Sequence, residues 1–321
     1  MAIEFLKEHW SGLIEEVQIG ATKDEGGTRS HVIKIGAETT LPFLFEEGKI
    51  PHPPVVAMEV WDVAPLDWPQ FLKEPFGDVL NSPSDWAKKC VDEFKADLIC
   101  LKLQGSHPDF GNKTADEAAK VVKEVILAVS VPLIILGSGD DVKDNLILPK
   151  CCEVAKGERL LVGEASQESY KTLTAAVLAD DHNIIAQSPI DINIAKQLNI
   201  LITDMGLPAS RIVINPTIGA LGYGLEYAYS IMERARLAAL SGDKMLAMPF
   251  IAFVGQEAWR AKEAKATIKE FPNWGKEELR GPMWENVTAA ALLQAGADIL
   301  VMRHPKAVAA IKNTIEELMT R

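Results

Sequence analysis

Short runs of apolar residues recur along most of the chain, and longer segments with the apolar spacing of amphipathic helices separate them. Near-continuous apolar strands that alternate with such helices are typical of a parallel sheet covered by helices. Eight units in succession predict closure into a (β/α)8 TIM barrel, an α/β fold; the alternative, an open doubly wound sheet, lacks its dinucleotide fingerprint. The predicted barrel strands are 55–60, 97–102, 132–136, 160–163, 183–186, 211–215, 248–253 and 298–302.

The residues before the first barrel strand follow a different pattern. Segments 15–20 and 30–36 alternate between apolar and polar residues on either side of a polar, glycine-containing turn at 23–27, which predicts a β-hairpin. A proline-rich stretch at 51–54 then marks a boundary. We therefore expect an N-terminal extension with a β-hairpin over 1–54 and the barrel over 55–321.

Capping residues and the length of one unit add detail to the helical segments. Ser84 or Asp85, Thr114 and Asp191 are expected to open helices. In the long seventh unit, the pattern predicts a helix over 256–269, an irregular stretch at 271–276, the segment 280–284 and then another helix. Such an insertion either covers the active face of a barrel or is an ordinary packed excursion anchored by its tryptophans; both interpretations stay open here. The tryptophans are Trp259, Trp274 and Trp284.

Composition and charge exclude several classes of partner. The net charge of −12 argues against nucleic acid and against an anionic membrane, because binding to phosphate requires a basic surface. The longest apolar stretch, 125–137, is interrupted by Ser130 and Pro132 and is shorter than the roughly 20 residues of a spanning helix. The first ten residues mix acidic and basic side chains, unlike a signal peptide. We expect a cytoplasmic protein.

The cysteines do not have the spacing of a metal or cluster site. None of Cys90, Cys100, Cys151 and Cys152 forms a C-x-x-C pair, and the adjacent Cys151 and Cys152 point to different sides of their element. Buried reduced thiols are the simpler interpretation. We therefore predict no metal site on this chain.

The residues that directly follow the barrel strands are candidates for ligand binding, because these ends converge on one face. They are polar but mostly uncharged, and amides, hydroxyls and backbone N–H groups suit a large neutral or amide-bearing ligand better than a compact phosphate. No catalytic pair is predicted. The candidate cofactor-binding residues are Gln104, Gly137, Ser138, Gly139, Gln187, Asn215, Thr217, Gly219, Gly222, Tyr223 and Arg303.

The loop after the sixth barrel strand is the most specific of these segments. Gly219, Gly222 and Gly224 lack Cβ, so the backbone can approach a flat ligand closely or adopt positive φ angles; a plain glycine-rich turn is the alternative. Lys102, which ends the second barrel strand, could form a Schiff base, but a salt bridge at the rim is the simpler interpretation.

Two segments, Asn-Pro-Thr-Ile-Gly-Ala-Leu-Gly-Tyr-Gly at 215–224 and Gly-Gln-Glu-Ala-Trp-Arg-Ala-Lys at 255–262, are distinctive. With them, essentially the whole chain resembles the small (delta-type) subunit of the corrinoid iron–sulfur protein of anaerobic acetyl-CoA synthesis, the Wood–Ljungdahl pathway. The resemblance implies a heterodimer with a large subunit that carries a [4Fe-4S] cluster and the corrinoid-binding domain. The corrinoid (cobalamin) would lie between that domain and the top face of this barrel.

The same resemblance implies a role in methyl transfer. The complex would take a methyl group from methyltetrahydrofolate through a separate methyltransferase and deliver it to acetyl-CoA synthase. The chain lacks the D-x-H-x-x-G motif of cobalt-ligating corrinoid domains, since Ile185 stands at the glycine position after His182. It is therefore expected to cover the corrinoid without catalysing a reaction alone.

Two other functions remain alternatives. The first is a self-sufficient pterin-dependent corrinoid methyltransferase: Asn215-Pro216 partly matches the Asp-Pro with which pterin-binding barrels often open this loop, although an amide cannot act as a carboxylate base. Carboxylates that face the rim would favour this function. The second is a lyase or aldolase barrel, which a reactive Lys102 would favour.

Overall fold

The computed structural model describes residues 6–320. The predicted β-hairpin and the predicted barrel are both present: β1 and β2 pair antiparallel, and β3 to β10 form a closed parallel barrel in which β10 pairs with β3. Each barrel strand lies within two residues of its predicted ends. The strands are β1 Val17–Ile19, β2 Ile33–Ile35, β3 Val55–Trp61, β4 Leu98–Lys102, β5 Leu133–Leu136, β6 Leu161–Ala165, β7 Asn183–Gln187, β8 Ile212–Asn215, β9 Phe250–Ala252 and β10 Ala297–Met302.

Helices surround the barrel, and two of the three predicted starts are confirmed. The Thr114 and Asp191 side chains cap α3 and α6 by accepting hydrogen bonds from backbone N–H groups of the first turn. The prediction for α2 is wrong by a few residues, because Ser82 is the cap and the helix begins at Pro83. The helices are α1 Gln70–Lys73, α2 Pro83–Asp92, α3 Ala115–Ala128, α4 Asp141–Val154, α5 Tyr170–Ala179, α6 Ile192–Asp204, α7 Leu225–Leu240, α8 Val254–Ala258, α9 Lys262–Lys265, α10 Glu277–Gln294 and α11 Pro305–Met319.

The seventh unit differs from its prediction. Instead of one helix over 256–269, two short helices, α8 and α9, flank a turn that buries Trp259. The segment 280–284, expected to precede the next helix, lies inside α10. A Cβ at Gly281 would lie 2.1 Å from the Trp259 ring, so a glycine lets α10 approach that ring closely. Tertiary packing of one tryptophan therefore overrides the local helical pattern.

Side chains alternate between the two faces of each barrel strand and form two separate apolar clusters. One cluster packs the strands against the surrounding helices. The other fills the barrel with side chains such as Ala57, Cys100 and Ile185, and it includes Val17 and Ile35 of the hairpin. The hairpin is thus packed against the barrel interior and covers one of its ends.

A buried ion pair fastens the hairpin region to the barrel. The Arg29 guanidinium is almost fully buried and donates to Glu158 Oε2 at 2.8 Å and to the carbonyls of Ile126 and Val129 at 2.7 Å each. On strand β1 of the hairpin, the Gln18 carbonyl accepts a hydrogen bond from the Asn183 amide at the start of β7.

Two sequence predictions concern the state of the cysteines and the absence of a membrane-spanning helix. All four cysteines are buried and unpaired, and burial raises the pKa of the Cys152 thiol to about 12, so these thiols are inert. Across residues 6–320, no helix is long and apolar enough to cross a bilayer.

Replacing Arg29 with Met should destabilise the protein strongly, because the Glu158 carboxylate would stay buried without its cation. Removing one partner of a buried pair costs about 3–5 kcal/mol of unfolding free energy. Lys34→Met is the matched control, since its ion pair with Glu16 is exposed and worth at most about 1 kcal/mol. Urea denaturation measures both variants, and equal losses would contradict the role assigned to Arg29.

Candidate functional site

A cavity of about 480 Å³ opens at the carboxyl ends of the barrel strands. It brings together six of the predicted residues, Gln104, Gly137, Ser138, Gly139, Gln187 and Arg303. Its remaining lining residues are Trp61, Asp67, Lys102, His107, Phe110, Leu136, Asp141, Asp144, Glu164, Phe253, Gln256 and Arg260.

The alternation of the strands explains which side chains reach the cavity floor. Along each strand, every second side chain faces the barrel interior. These side chains are apolar within the barrel and polar at the carboxyl ends of the strands. In this way β3, β4, β7, β8 and the residue after β10 supply Glu59, Lys102, Gln187, Asn215 and Arg303 to a single layer. The floor of the cavity is therefore the top layer of the barrel core.

Glu59 and Arg303 form a two-point ion pair across the seam where β10 meets β3. Arg303 Nε donates to Glu59 Oε2 at 3.0 Å and Nη2 donates to Oε1 at 2.8 Å. The Trp61 indole also donates to Glu59, and the guanidinium lies 4.8 Å from the centre of the Trp68 ring. Burial works against the charged form of Glu59, but the Arg303 charge and hydrogen bonds outweigh it and lower the pKa of this carboxyl.

Lys102 has no carboxylate partner among the described residues, so the interpretation as a salt bridge at the rim is wrong. Its ammonium donates to the amide oxygen of Gln256 at 3.1 Å and lies 5.5 Å from the centre of the Trp61 ring. Burial lowers the pKa of Lys102, and the nearby Arg303 charge acts in the same direction. Lys102 is thus a half-buried cation that faces the cavity.

Glu164 faces the cavity from the end of β6. Burial raises the pKa of this carboxyl to about 7, against the opposing effects of the Asn215 hydrogen bond and the Lys102 charge. Asn215 donates from its amide nitrogen to Glu164 and accepts from the Thr217 N–H at 3.0 Å through its amide oxygen. Asn215 and Thr217 therefore lie directly behind the cavity wall, and they orient Glu164.

The backbone at Gly137 and Gly139 packs closely around a carboxylate of the protein itself, that of Asp144. Asp144 of α4 accepts hydrogen bonds from the backbone N–H groups of Ser138 and Gly139 at 2.7 and 3.0 Å, and from the Ser138 hydroxyl at 2.7 Å. A Cβ at Gly137 would lie 2.2 Å from the Asp144 carboxylate. The expected close approach of backbone is present, but Asp144 occupies these donors. Burial, the largest effect, raises the pKa of Asp144.

The expectation of a mostly uncharged rim is wrong at the cavity floor. Lys102, Asp144, Glu164 and Arg303 all line the cavity, and Glu59 is paired with Arg303. Sequence reasoning missed Glu59 and Asp144 as functional residues. For Glu59 a signal existed, because a single carboxylate within the apolar run 55–61 requires a buried partner. Asp144 carries no such signal, since it lies one turn inside a helix and resembles a solvated position.

The loop after β8, the sixth strand of the barrel, comprises residues 216–224 and is called the strand-six loop; it lies beside the cavity and not within it. Gly219 permits a tight turn, since a Cβ there would lie 2.2 Å from the Tyr223 carbonyl oxygen. Gly222 has a φ of +75°, which only glycine adopts easily. Tyr223 is half-exposed, and its hydroxyl donates to Glu263 at 3.0 Å and accepts from the Lys262 N–H. This contact joins the loop to the insertion.

The insertion is the segment between β9 and β10, residues 253–296, and it includes α8, α9 and α10. It packs against the cavity through one buried carboxylate. Glu285 of α10 accepts hydrogen bonds from the N–H groups of Arg303 and His304 at 2.5 and 3.1 Å and from the Trp259 indole at 2.7 Å. Burial raises the pKa of Glu285 to about 7, although these donors oppose the shift. Glu285 therefore holds the backbone that presents Arg303.

The other two tryptophans of the insertion differ from each other. The Trp284 indole donates to the Leu221 carbonyl at 3.0 Å and so anchors the strand-six loop. Trp274 is 46% exposed and stacks on Phe271 with ring centres 3.9 Å apart, so it is a surface residue and not a core anchor. The insertion is thus both a packed support of the cavity and a carrier of exposed aromatic surface.

Solved structures with a similar fold are dihydropteroate synthases. One from Coxiella burnetii in complex with pteroic acid has a TM-score of 0.59 at 10% identity and covers 95% of this chain and 100% of its own. Another, from Xanthomonas albilineans in complex with 7,8-dihydropteroate, has a TM-score of 0.56 at 12% identity and covers 88% of this chain and 100% of its own. At such low identity the likeness confirms the barrel fold alone.

Sequence comparison identifies the family. Residues 16–317 match the model of the CO dehydrogenase/acetyl-CoA synthase delta subunit. The delta subunit of the acetyl-CoA decarbonylase/synthase complex of Archaeoglobus fulgidus is 40% identical over 317 residues, 97% of this chain and 70% of that protein. The corresponding subunit of Methanocaldococcus jannaschii is 39% identical over 320 residues, 98% of this chain and 76% of that protein. The chain therefore belongs to the family of CO dehydrogenase/acetyl-CoA synthase delta subunits.

Proposed function

We propose that this chain is the small subunit of a corrinoid iron–sulfur methyl carrier. It covers one face of a corrinoid held by a large subunit, which also carries the [4Fe-4S] cluster. The complex receives a methyl group from methyltetrahydrofolate through a methyltransferase and passes it to acetyl-CoA synthase. The observation that carries this proposal is the family match over residues 16–317, whose described relatives are delta subunits of an acetyl-CoA decarbonylase/synthase complex.

The rim has the chemistry that such a cofactor requires. A corrinoid is broad and flat, and its edge carries amide side chains that both donate and accept hydrogen bonds. The side-chain amides of Gln104 and Gln187 line the cavity and make no hydrogen bond with the described residues, so they are free for a ligand. These groups fit the edge of a corrinoid better than they fit a metal ion or a phosphate.

The size of the cavity decides how a corrinoid would lie. A volume of about 480 Å³ suits a small molecule and is too small to enclose a corrinoid. The macrocycle would therefore lie across the mouth, where the adjacent strand-six loop presents Gly222 and Tyr223 to solvent. Of the predicted contacts, Gly137, Ser138 and Asn215 would then lie below the cofactor and support it indirectly.

The proposal also requires a docking face for the large subunit. Several apolar and aromatic side chains are exposed on the strand-six loop, α7 and the insertion, and a stable interface needs apolar residues at its centre. Four hydrogen bonds from Arg280 to the carbonyls of residues 266, 267, 271 and 275 hold the loop that carries them. The exposed side chains are Tyr223, Tyr227, Ile268, Phe271, Trp274, Leu279, Met283 and Val287.

We expect the purified chain alone to be colourless and the chain co-expressed with its large subunit to co-purify as a coloured complex. The corrinoid and the cluster would then both depend on the partner. Visible absorption spectra and iron and cobalt analysis of both preparations measure this. Stoichiometric iron or cobalt in the chain purified alone would contradict the proposal.

Hydrogen exchange tests the docking face. On complex formation, amides of the segments 215–224 and 266–276 should gain protection, because the partner and the corrinoid would cover them. The hairpin at the opposite end of the barrel, Val17–Ile19 and Ile33–Ile35, is the internal control and should not change. Protection confined to the hairpin end would place the partner on the wrong face for this function.

A second function, pterin-dependent methyl transfer to the corrinoid by this chain itself, is favoured by the carboxylates in the cavity. Asp144 and Glu164 both line it, and its volume is in the range of small-molecule sites, roughly 300–1,000 Å³. The aminopyrimidinone edge of a pterin presents adjacent N–H donors, which a carboxylate accepts in pairs. In this arrangement the methyl donor would occupy the cavity and the corrinoid its mouth.

If the cavity holds the methyl donor, the isolated chain should bind methyltetrahydrofolate, and Glu164→Gln should weaken binding. Hydrogen bonds to a charged group are worth about 1.5–3 kcal/mol, which corresponds to roughly tenfold to a hundredfold in affinity. Glu124→Gln, on the exposed face of α3, is the control and should bind normally. Isothermal titration calorimetry measures all three proteins. Equal affinities for wild type and Glu164→Gln, or no binding by the wild type, would exclude this second function.

A further inference from the structure

Two of the cations that line the cavity, Lys102 and Arg303, have different partners. Glu59 already accepts from three donors, the Trp61 indole and two nitrogens of Arg303. Lys102 forms no ion pair with Glu59 or with any other described carboxylate, and its hydrogen-bond partner is the neutral amide of Gln256. Arg303 is therefore paired with a carboxylate, whereas the Lys102 ammonium meets only a neutral amide.

Lys102 and Arg303 both line the cavity, and both carry N–H donors that no described residue accepts. Arg303 engages Glu59 through Nε and Nη2 only, so Nη1 makes no hydrogen bond with the described residues, and Arg303 lines the cavity. The Lys102 ammonium and the Arg303 guanidinium each lie 5.5 Å from the centre of the Trp61 ring. Two cations thus flank one aromatic side chain on the cavity floor, and each retains N–H groups for an acceptor.

We propose that the cavity floor is a carboxylate-binding subsite in which Lys102 and Nη1 of Arg303 hold the anionic group of a ligand. A monoanion supplies the carboxylate partner that Lys102 does not have among the described residues. A dianionic phosphate does not fit as well, because Asp141, Asp144 and Glu164 also line the cavity and repel additional negative charge. This inference goes beyond the proposed function and does not depend on it.

Glu164 makes the subsite sensitive to pH. Its pKa is raised to about 7, so it is mostly protonated below that pH and mostly ionised above it. An ionised Glu164 compensates Lys102 and repels the carboxylate of the ligand, so affinity should fall as the pH rises through about 7. The lowered pKa of Lys102 acts in the same direction at higher pH. Asp144 and Glu257 also face Glu164, and both add negative charge.

Binding of acetate, with acetamide as its neutral isostere and inorganic phosphate as the dianion, tests the subsite on the 321-residue chain alone. We expect acetate to bind at about pH 6 and to bind up to about tenfold more weakly at about pH 8, while acetamide and phosphate bind more weakly than acetate at the lower pH. Line broadening of carbon-13-labelled acetate in NMR titrations measures the affinities.

Two variants and one control separate the subsite from non-specific binding. Lys102→Met should lower acetate affinity by about tenfold to a hundredfold. Glu164→Gln should retain binding at about pH 8, the opposite of its expected effect on methyltetrahydrofolate. Lys120→Met, on the exposed face of α3, should bind as the wild type does.

Melting temperatures of the variants show that each one is folded. The inference is overturned if Lys102→Met binds acetate like the wild type, if acetamide binds as tightly as acetate, or if phosphate binds more tightly. These experiments use neither the corrinoid nor the large subunit. Their failure would therefore leave the proposed function intact, and failure of the complex to form would leave the subsite intact.

Discussion

The site depends most on the ion pair between Glu59 and Arg303. It joins the first and last strands of the barrel, so it lies at the seam whose pairing closes the sheet. Both side chains are almost completely buried, and a charge at this depth is tolerated only with a hydrogen-bonded partner. Because the pair uses both oxygens of Glu59, Lys102 on the neighbouring strand is left to a neutral amide. That Lys102 is a cation without a carboxylate partner among the described residues follows from this one arrangement.

The long seventh unit supports that arrangement from outside the barrel. Glu285 reaches from α10 to the backbone of Arg303 and His304, and Trp259 completes its set of donors. The same helix anchors the strand-six loop through Trp284. The exposed aromatic pair of Phe271 and Trp274 is therefore tied, through packed elements, to the residues that line the cavity. A partner that docks on the insertion would contact a surface continuous with the site.

This face of the barrel has two surfaces of different size, a small cavity and the broader rim around its mouth. The cavity has the volume and the charged floor of a small-molecule site, whereas its mouth and the adjacent loops present amides, glycines and aromatic side chains. A broad cofactor across the mouth and a small ligand below it can be bound together without competing for the same atoms. Under the proposed function, the corrinoid would lie against the amides and glycines of the rim, and the charged side chains would lie beneath it.

The sequence by itself determined the barrel, the hairpin and the family, because apolar periodicity, turn residues and distinctive local segments are all encoded over short distances. It also placed Gln104, Gln187 and Arg303 at strand ends, where barrels bind ligands. Only the tertiary structure decided that Gly137 accommodates Asp144, that Trp259 interrupts the helix expected over 256–269, and that the Lys102 ammonium meets the neutral amide of Gln256. The reason is physical: each of these outcomes depends on which side chain of a distant segment arrives within a few ångströms. Barrel closure and helix packing determine that distance, and no local pattern records it.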